Sequence, residues 1–396
     1  MAAHPRLVLK SRHTAGAIDY NLGWFDAGKV AQRFMDLVNI NVQRMAGYTP
    51  GEQPESLSVI KLNTNENPYP PSPLVRQAIA NITEEQLRRY PSPDAKIFRQ
   101  AAARIHDVPA DWIMATNGGD ELLSIVFRAC LLPGDPVAFL EPSYSLYPVL
   151  AAGMGATVIS LPYQVSGQTW HLPPDIYSLQ ARLLLMVNPN APSGTLIDMD
   201  TLEKIIQAFK GVVLIDEAYV DFAPQNALPL VQKYPNLILL RSMSKGYGLA
   251  GLRFGYAIAQ KPLLDQLNKI RDSYPCDAVA IAAATAAISD QAYARRTWTT
   301  VIDERRRLQQ VLGEMGFAGP QSFSNFILST VPAGFSAADL YARLKADGIL
   351  VRYFNLPGLQ DKLRITVGKP AESDALIRAL GRLVAGHDMT LQRTSQ

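Results

Sequence analysis

The chain has 396 residues, 48% hydrophobic and 18% charged, enough to bury a large core in roughly two or three domain-sized units. A net charge of only +3, with Lys and Arg scattered rather than gathered in a stripe with aromatics, argues against a nucleic-acid partner. The sequence has neither an apolar run of bilayer length nor the apolar segment of a secretory signal, which makes the cytoplasm the expected location. Its two distant cysteines, Cys130 and Cys276, suit a reducing compartment and lack metal-ligand spacing.

In chain order, residues 1–41 read as an N-terminal arm. Arg6, Lys10 and Arg12 precede the first acid, Asp19, a weak transit-peptide pattern that ranks below a docked or mobile arm. The segment "ENPYPPSP" is an extended, proline-rich loop. Six short apolar runs then read as buried strands bounded by turn residues: "DWIMATN", "DPVAFLEP", "ATVISLP", "RLLLMVNP", "VVLIDEAY" and "NLILLRS". Between them "DAKIFRQAAARI", "DELLSIVFRACL" and "DTLEKIIQAF" have helical spacing with Asp near the start, where it complements the helix dipole. This alternation predicts an α/β fold, a mostly parallel sheet flanked by helices, over residues 42–285. Residues 286–396 predict a smaller C-terminal α/β domain. It comprises the long helix "AYARRTWTTVIDERRRLQQVLGEMG", the strand "NFILSTV", the helix "AADLYARLKADG", two short strands and a last helix.

The residues with chemical potential fall at the ends of the predicted strands, where open α/β sheets bind ligands. In "TNGGDELL", Gly118 and Gly119 end a strand and open a helix, so backbone N–H groups and the helix dipole can hold a phosphate; a plain tight turn is the simpler reading of two glycines alone. "LIDEAYVDF" puts Asp216 at the end of an apolar strand, followed by Tyr219. That carboxylate is an N-cap, a metal ligand, or the partner of a protonated ring nitrogen on a heteroaromatic cofactor. In "RSMSKGYGLAGLRFGY", Lys245 stands among hydroxyls. A lysine that forms a Schiff base must be partly deprotonated, and a neighbouring cation or desolvation achieves that, while Ser242, Ser244 and Arg253 suit a phosphate dianion. The five histidines form no catalytic group.

The ordered series "LNTNENP", "RYPSP", "GGDE", "EPSYSLY", "NPNAPSG", "IDEAY", "SMSK…GLAGLRFGY" and "LRITVG" resembles the fold-type I pyridoxal-phosphate aminotransferases, and within them the histidinol-phosphate aminotransferase branch, over about residues 42–385. The resemblance implies that Lys245 carries pyridoxal 5′-phosphate as a Schiff base, Asp216 pairs with the pyridine nitrogen, Tyr219 hydrogen-bonds the phenolic oxygen and Tyr144 stacks on the ring. The phosphate would lie among Gly119, Asp120, Ser242, Ser244 and Arg253, with Tyr90 reaching it from a second subunit, hence a homodimer. The family's asparagine before Pro-Thr-Gly is Ala191 here, and Asn190 is the candidate replacement, with Asn188 an alternative. Arg364 matches the residue that grips the substrate's acidic group and Arg352 a second arginine at its anionic end; Tyr48 and Asn65 match loops that close over the substrate. The implied reaction is ping-pong transamination of histidinol phosphate with a 2-oxo acid such as 2-oxoglutarate, in histidine biosynthesis. Other outcomes for the same cofactor shell are an aromatic amino-acid aminotransferase or a phosphothreonine-type decarboxylase; an inactive binding homologue is the non-enzyme alternative. No metal is expected.

Overall fold

The computed structural model describes residues 37–54 and 58–394, with side chains up to 385. Most of the expected arm, and with it His4 and His13, lies outside the described residues, as does the side chain of His387. The chain divides into two units, Met1–Arg44 and Met45–Gln396; the described part of the first contains the short helix Ile40–Arg44, and everything below concerns the second.

Fourteen strands are described: β1 (Ile60–Lys61), β2 (Ile113–Thr116), β3 (Pro136–Glu141), β4 (Thr157–Pro162), β5 (Gln164–Ser166), β6 (Thr169–His171), β7 (Leu183–Val187), β8 (Val212–Asp216), β9 (Leu237–Ser242), β10 (Gly255–Ala259), β11 (Phe326–Thr330), β12 (Ile349–Leu350), β13 (Arg352–Tyr353) and β14 (Lys362–Thr366). The main sheet has seven strands in the order β2-β10-β9-β8-β7-β3-β4. All neighbours run parallel except β10, which is antiparallel to both β2 and β9. The six expected strands are present, and the mostly parallel sheet is as the sequence predicts. β10 lies in "GYAIA", a five-residue apolar run hidden behind the glycine-rich motif.

Period-two side-chain alternation explains why both faces must be covered. Leu184 and Met186 of β7, Val213 and Ile215 of β8, and Leu237 and Leu239 of β9 join one buried cluster with residues of the helices Lys96–His106, Met199–Ala208 and Ala278–Ser289. Their alternate neighbours Leu185, Leu214 and Ile238 join a second cluster with the helices Gly118–Cys130, Leu146–Met154 and Lys261–Asn268. Asp198 caps the helix Met199–Ala208 through the Thr201 N–H at 2.8 Å.

A third cluster forms the core beneath the antiparallel sheet β11-β14-β13. It draws on the long helix Gln291–Glu314, the helix Ala337–Ala346 and the terminal helix Pro370–Thr394. Leu62 is buried in this core too, because β1 pairs in parallel with β12, so the chain just before the "NTNEN" loop is anchored to the C-terminal core. Arg305 of the long helix is buried and donates to the carbonyls of Ser324, at 2.6 Å, and Phe222, tying that helix to the segment after β8. No helix among the described residues is long and apolar enough to cross a membrane.

Candidate active site

A cavity of about 550 Å³ opens at the carboxyl ends of β2, β8 and β9, within the range of small-molecule sites. Its wall contains Lys245, Asp216, Tyr219, Gly119, Asp120, Tyr144, Ser242, Ser244, Arg253, Arg364, Arg352, Tyr48 and Asn65, so thirteen of the fifteen sequence-derived residues converge here.

Lys245 follows β9 on a turn whose backbone is held from two sides. Asn67 donates to the carbonyls of Lys245 and Gly246 at 3.1 and 3.0 Å, and the Trp298 indole donates to the Gly246 carbonyl at 2.8 Å. The Lys245 amine itself donates to the Thr64 carbonyl at 3.0 Å. Burial and then the Arg364 guanidinium lower its pKa from 10.5 to about 8, partly opposed by the Glu66 carboxylate. About a tenth of the amine is therefore neutral at pH 7, far more than for an ordinary lysine, as nucleophilic chemistry requires.

Asp216 ends β8 with 5% of its surface exposed. Its carboxylate accepts from the fully buried Tyr147 hydroxyl at 3.1 Å and from the Ala218 N–H at 3.0 Å. Burial raises its pKa to about 6 in spite of these two bonds, and among the described residues no cation pairs with it. A buried carboxylate with donors but no counter-charge fits a ring N–H carrying positive charge.

Tyr219 has its hydroxyl fixed by the Asn65 side-chain amide at 3.0 Å. Asn65 is buried, adopts a left-handed backbone with φ 57°, and is gripped by β14: the Thr366 hydroxyl accepts from the Asn65 N–H at 3.0 Å and pairs with its amide oxygen at 3.1 Å. Asn325 also donates to the Asn65 carbonyl at 2.9 Å. Asn65 thus joins the C-terminal sheet to the tyrosine beside the cavity.

The opposite side of the cavity is rich in donors. The helix Gly118–Cys130 points its N-terminus there, next to the hydroxyls of Ser242 and Ser244 and the guanidinium of Arg253. Gly118 has φ +80°, and a Cβ there would lie 2.7 Å from Arg253 Nη2, so the glycine is what lets the guanidinium approach the helix start. Asp120 sits beside Arg253 at 3.3 Å and accepts from the Tyr144 hydroxyl at 3.0 Å. Tyr144 packs edge-on against Tyr48, with ring centroids 5.9 Å apart.

One expectation differs from the geometry. Asn190 is not among the residues lining the cavity; Ala191 and Pro192 take that stretch of wall. The backbone turns sharply from Asn190 to Thr195 and draws the Asn190 amide inside, where it donates to Ser193 Oγ at 2.8 Å and to the Pro142 carbonyl at 3.3 Å. Asn188 serves the same loop, exchanging hydrogen bonds with the Ile197 backbone at 2.8 and 3.2 Å. Tyr90, expected to act from a second subunit, is 81% exposed and stacked on Tyr274, with centroids 4.4 Å apart.

Sequence reasoning missed Tyr147, Thr64, Asn67, Trp298 and Thr366. Tyr147 lies one helical turn after Tyr144 in "EPSYSLY", and that spacing was its only signal; the others act through backbone atoms or across the fold.

The chain belongs to the class I and II aminotransferases: residues 58–380 match that family. Enzymes of this family use pyridoxal 5′-phosphate, and the site fits it, with a donor-rich helix start, two serine hydroxyls and Arg253 for a phosphate, a buried carboxylate for a ring nitrogen and a low-pKa lysine in the same cavity. Within the family, the chain is similar to histidinol-phosphate aminotransferase 1 of Trichormus variabilis, 46% identical over 87% of this chain and 98% of the relative. It is 41% identical to the Geotalea daltonii histidinol-phosphate aminotransferase over 86% of this chain and 97% of that one. Among solved structures, the histidinol-phosphate aminotransferase of Sinorhizobium meliloti in complex with pyridoxal 5′-phosphate superposes with a TM-score of 0.79 at 27% identity, covering 88% of this chain and 98% of that one. The protein is a pyridoxal-phosphate-dependent aminotransferase.

Proposed function

We propose that the enzyme transfers the amino group of histidinol phosphate to a 2-oxo acid such as 2-oxoglutarate, in histidine biosynthesis. The observation that carries the reading is the pair Arg352 and Arg364, directly opposite each other on β13 and β14 and both facing the cavity. Among the described residues neither forms a salt bridge, and two converging guanidiniums suit a phosphate better than a single carboxylate. The names of the similar relatives agree with this reading.

On this reading Lys245 would hold the cofactor, Asp216 would face its ring nitrogen, Tyr219 its phenolic oxygen and Tyr144 its ring, and Gly119, Asp120, Ser242, Ser244 and Arg253 would surround its phosphate. Bound there, the cofactor supplies an electron sink for the carbanion at the substrate α-carbon. The residues do the rest. Lys245 Nζ would take the proton from the substrate α-carbon, a task matched to its lowered pKa. Asp216 accepts the hydrogen bond of a ring N–H and keeps that proton in place. Asn65 orients the Tyr219 hydroxyl, and Tyr48 shields the mouth beside Tyr144.

The same reading takes the enzyme as a cytoplasmic homodimer in which the exposed Tyr90 reaches the partner's phosphate site. It divides the chain into an arm (1–41), a large cofactor-binding domain (42–285) and a small domain (286–396).

The test is a single-turnover absorbance assay of the cofactor-loaded enzyme with histidinol phosphate, phenylalanine, glutamate and phosphothreonine in turn. Conversion far faster with histidinol phosphate than with phenylalanine is expected. Equal or faster reaction of phenylalanine makes the enzyme an aromatic aminotransferase instead, and release of carbon dioxide from phosphothreonine makes it a decarboxylase.

A further inference from the structure

Arg352 and Arg364 are direct cross-strand partners, an arrangement in which like charges repel. The ring of Phe354 lies against both. Arg352 Cζ and Arg364 Cζ each stand 5.3 Å from the Phe354 centroid, within cation–π range, and Arg364 Cζ is also 5.2 Å from the Phe326 centroid. Phe354 comes two residues after Arg352, the spacing that keeps two side chains on one face of an extended segment. It lines the cavity, yet it belongs to none of the buried apolar clusters of the described residues, unlike its neighbour Tyr353, which packs on the C-terminal core. Packing therefore does not account for a large aromatic here. Arg364 has one further anchor, a bond from Nη2 to the Asn63 carbonyl at 3.0 Å, and its buried Nε has no partner.

We propose that Phe354 is a positioning residue: its ring holds the two guanidiniums side by side as one grip, so that the site prefers a phosphate monoester to a carboxylate at the far end of the substrate. The negative face of the ring offsets the repulsion between the cations and fixes their planes. A carboxylate is satisfied by one guanidinium fork, whereas a phosphate dianion has oxygens for two, so misalignment of the pair penalises the phosphate more. The inference rests on the reading of Arg352 and Arg364 given above.

The test compares wild type with Phe354→Leu, which keeps an apolar side chain without the ring quadrupole, and Phe354→Tyr, which keeps the ring. KM and kcat are measured for histidinol phosphate and for glutamate on the cofactor-loaded enzyme, together with competitive inhibition by inorganic phosphate and the thermal midpoint. For Phe354→Leu, KM for histidinol phosphate and the inhibition constant of phosphate both rise about tenfold, the loss of two cation–π contacts, while KM for glutamate rises less than about threefold. Phe354→Tyr restores wild-type values. Unchanged constants, or equal rises for both donors with a lower thermal midpoint, overturn the proposal. If wild type does not turn over histidinol phosphate but phosphate inhibition still depends on Phe354, the substrate reading fails and the role of Phe354 stands.

Discussion

Replacing Asp216 by Asn makes the cofactor-free protein more stable near neutral pH while disabling it. Burial raises the Asp216 pKa from 3.8 to about 6, so between these values the folded chain keeps a proton that the unfolded chain has released. The sign follows: Asp216 favours unfolding progressively as pH rises through that window, and its cost is complete above about pH 6. The gap between the two values converts to about 3 kcal/mol. Asparagine has almost the same shape: its oxygen still accepts from the Ala218 N–H, while its amide donates to the Tyr147 hydroxyl instead of accepting from it, a reversal that costs part of the gain at every pH. Urea unfolding of the cofactor-free wild type and Asp216→Asn at pH 7.5 and pH 4 measures the effect. The variant is expected to be more stable at pH 7.5 by up to about 3 kcal/mol, and this advantage should shrink by about 2–3 kcal/mol at pH 4. Without its counter-charge for the ring nitrogen, it should lose roughly two orders of magnitude or more in single-turnover rate. A variant no more stable at pH 7.5, or a gap that does not shrink on acidification, refutes the reasoning that this carboxylate awaits a cationic partner.

Three further outcomes are expected. In the cofactor-free protein, Lys245 should react with an amine-directed reagent with a midpoint near pH 8, and Arg364→Gln should move that midpoint upward because it removes the cation that repels the ammonium most; peptide mapping by mass spectrometry reads both, and an ordinary lysine midpoint contradicts the burial argument. Gly118→Ala must adopt φ +80° and push Arg253 aside, so cofactor titration should give an affinity at least about tenfold weaker, with stability lower by about 1–2 kcal/mol. Asn65→Gly keeps the left-handed turn but removes the side-chain bonds to Tyr219 and Thr366, and Asn65→Ala strains the turn as well; kcat should fall about tenfold in each, because the Tyr219 hydroxyl loses its buried donor, and the alanine variant should also melt lower. A glycine variant with wild-type kcat would assign Asn65 to the turn alone.

What was legible in the sequence follows from where parallel sheets keep their chemistry. A strand buried on both faces is written as a solid apolar run, so a polar residue at its end, such as Asp216 after "VVLI" or Ser242 after "LILLR", stands out and is already aimed at the site. The same rule hid β10: its five apolar residues fit a connecting segment as well as a strand, and its antiparallel insertion between β2 and β9 depends on pairing that no local pattern encodes. Asn190 shows the limit of matching by motif. One residue's displacement in "NPNAPSG" turns its amide into the loop, towards Ser193 and the Pro142 carbonyl, and leaves Ala191 on the cavity wall.

The substrate end of the site was least legible, for a related reason. Arg352 and Arg364 are twelve residues apart in sequence and become a pair only through the β13–β14 register, while β14, paired on its other side with β11, also places Thr366 over Asn65. β14 links two tasks, since this one strand both supplies an arginine of the anion grip and, through Asn65, fixes the hydroxyl of Tyr219. A shift of β14 by one residue would turn Arg364 and Thr366 to the opposite face together. Anion grip and tyrosine orientation are therefore set by the same strand, and a change that loosens β14 should degrade substrate affinity and turnover jointly, whereas loss of Phe354 should affect affinity for the phosphate-bearing substrate first.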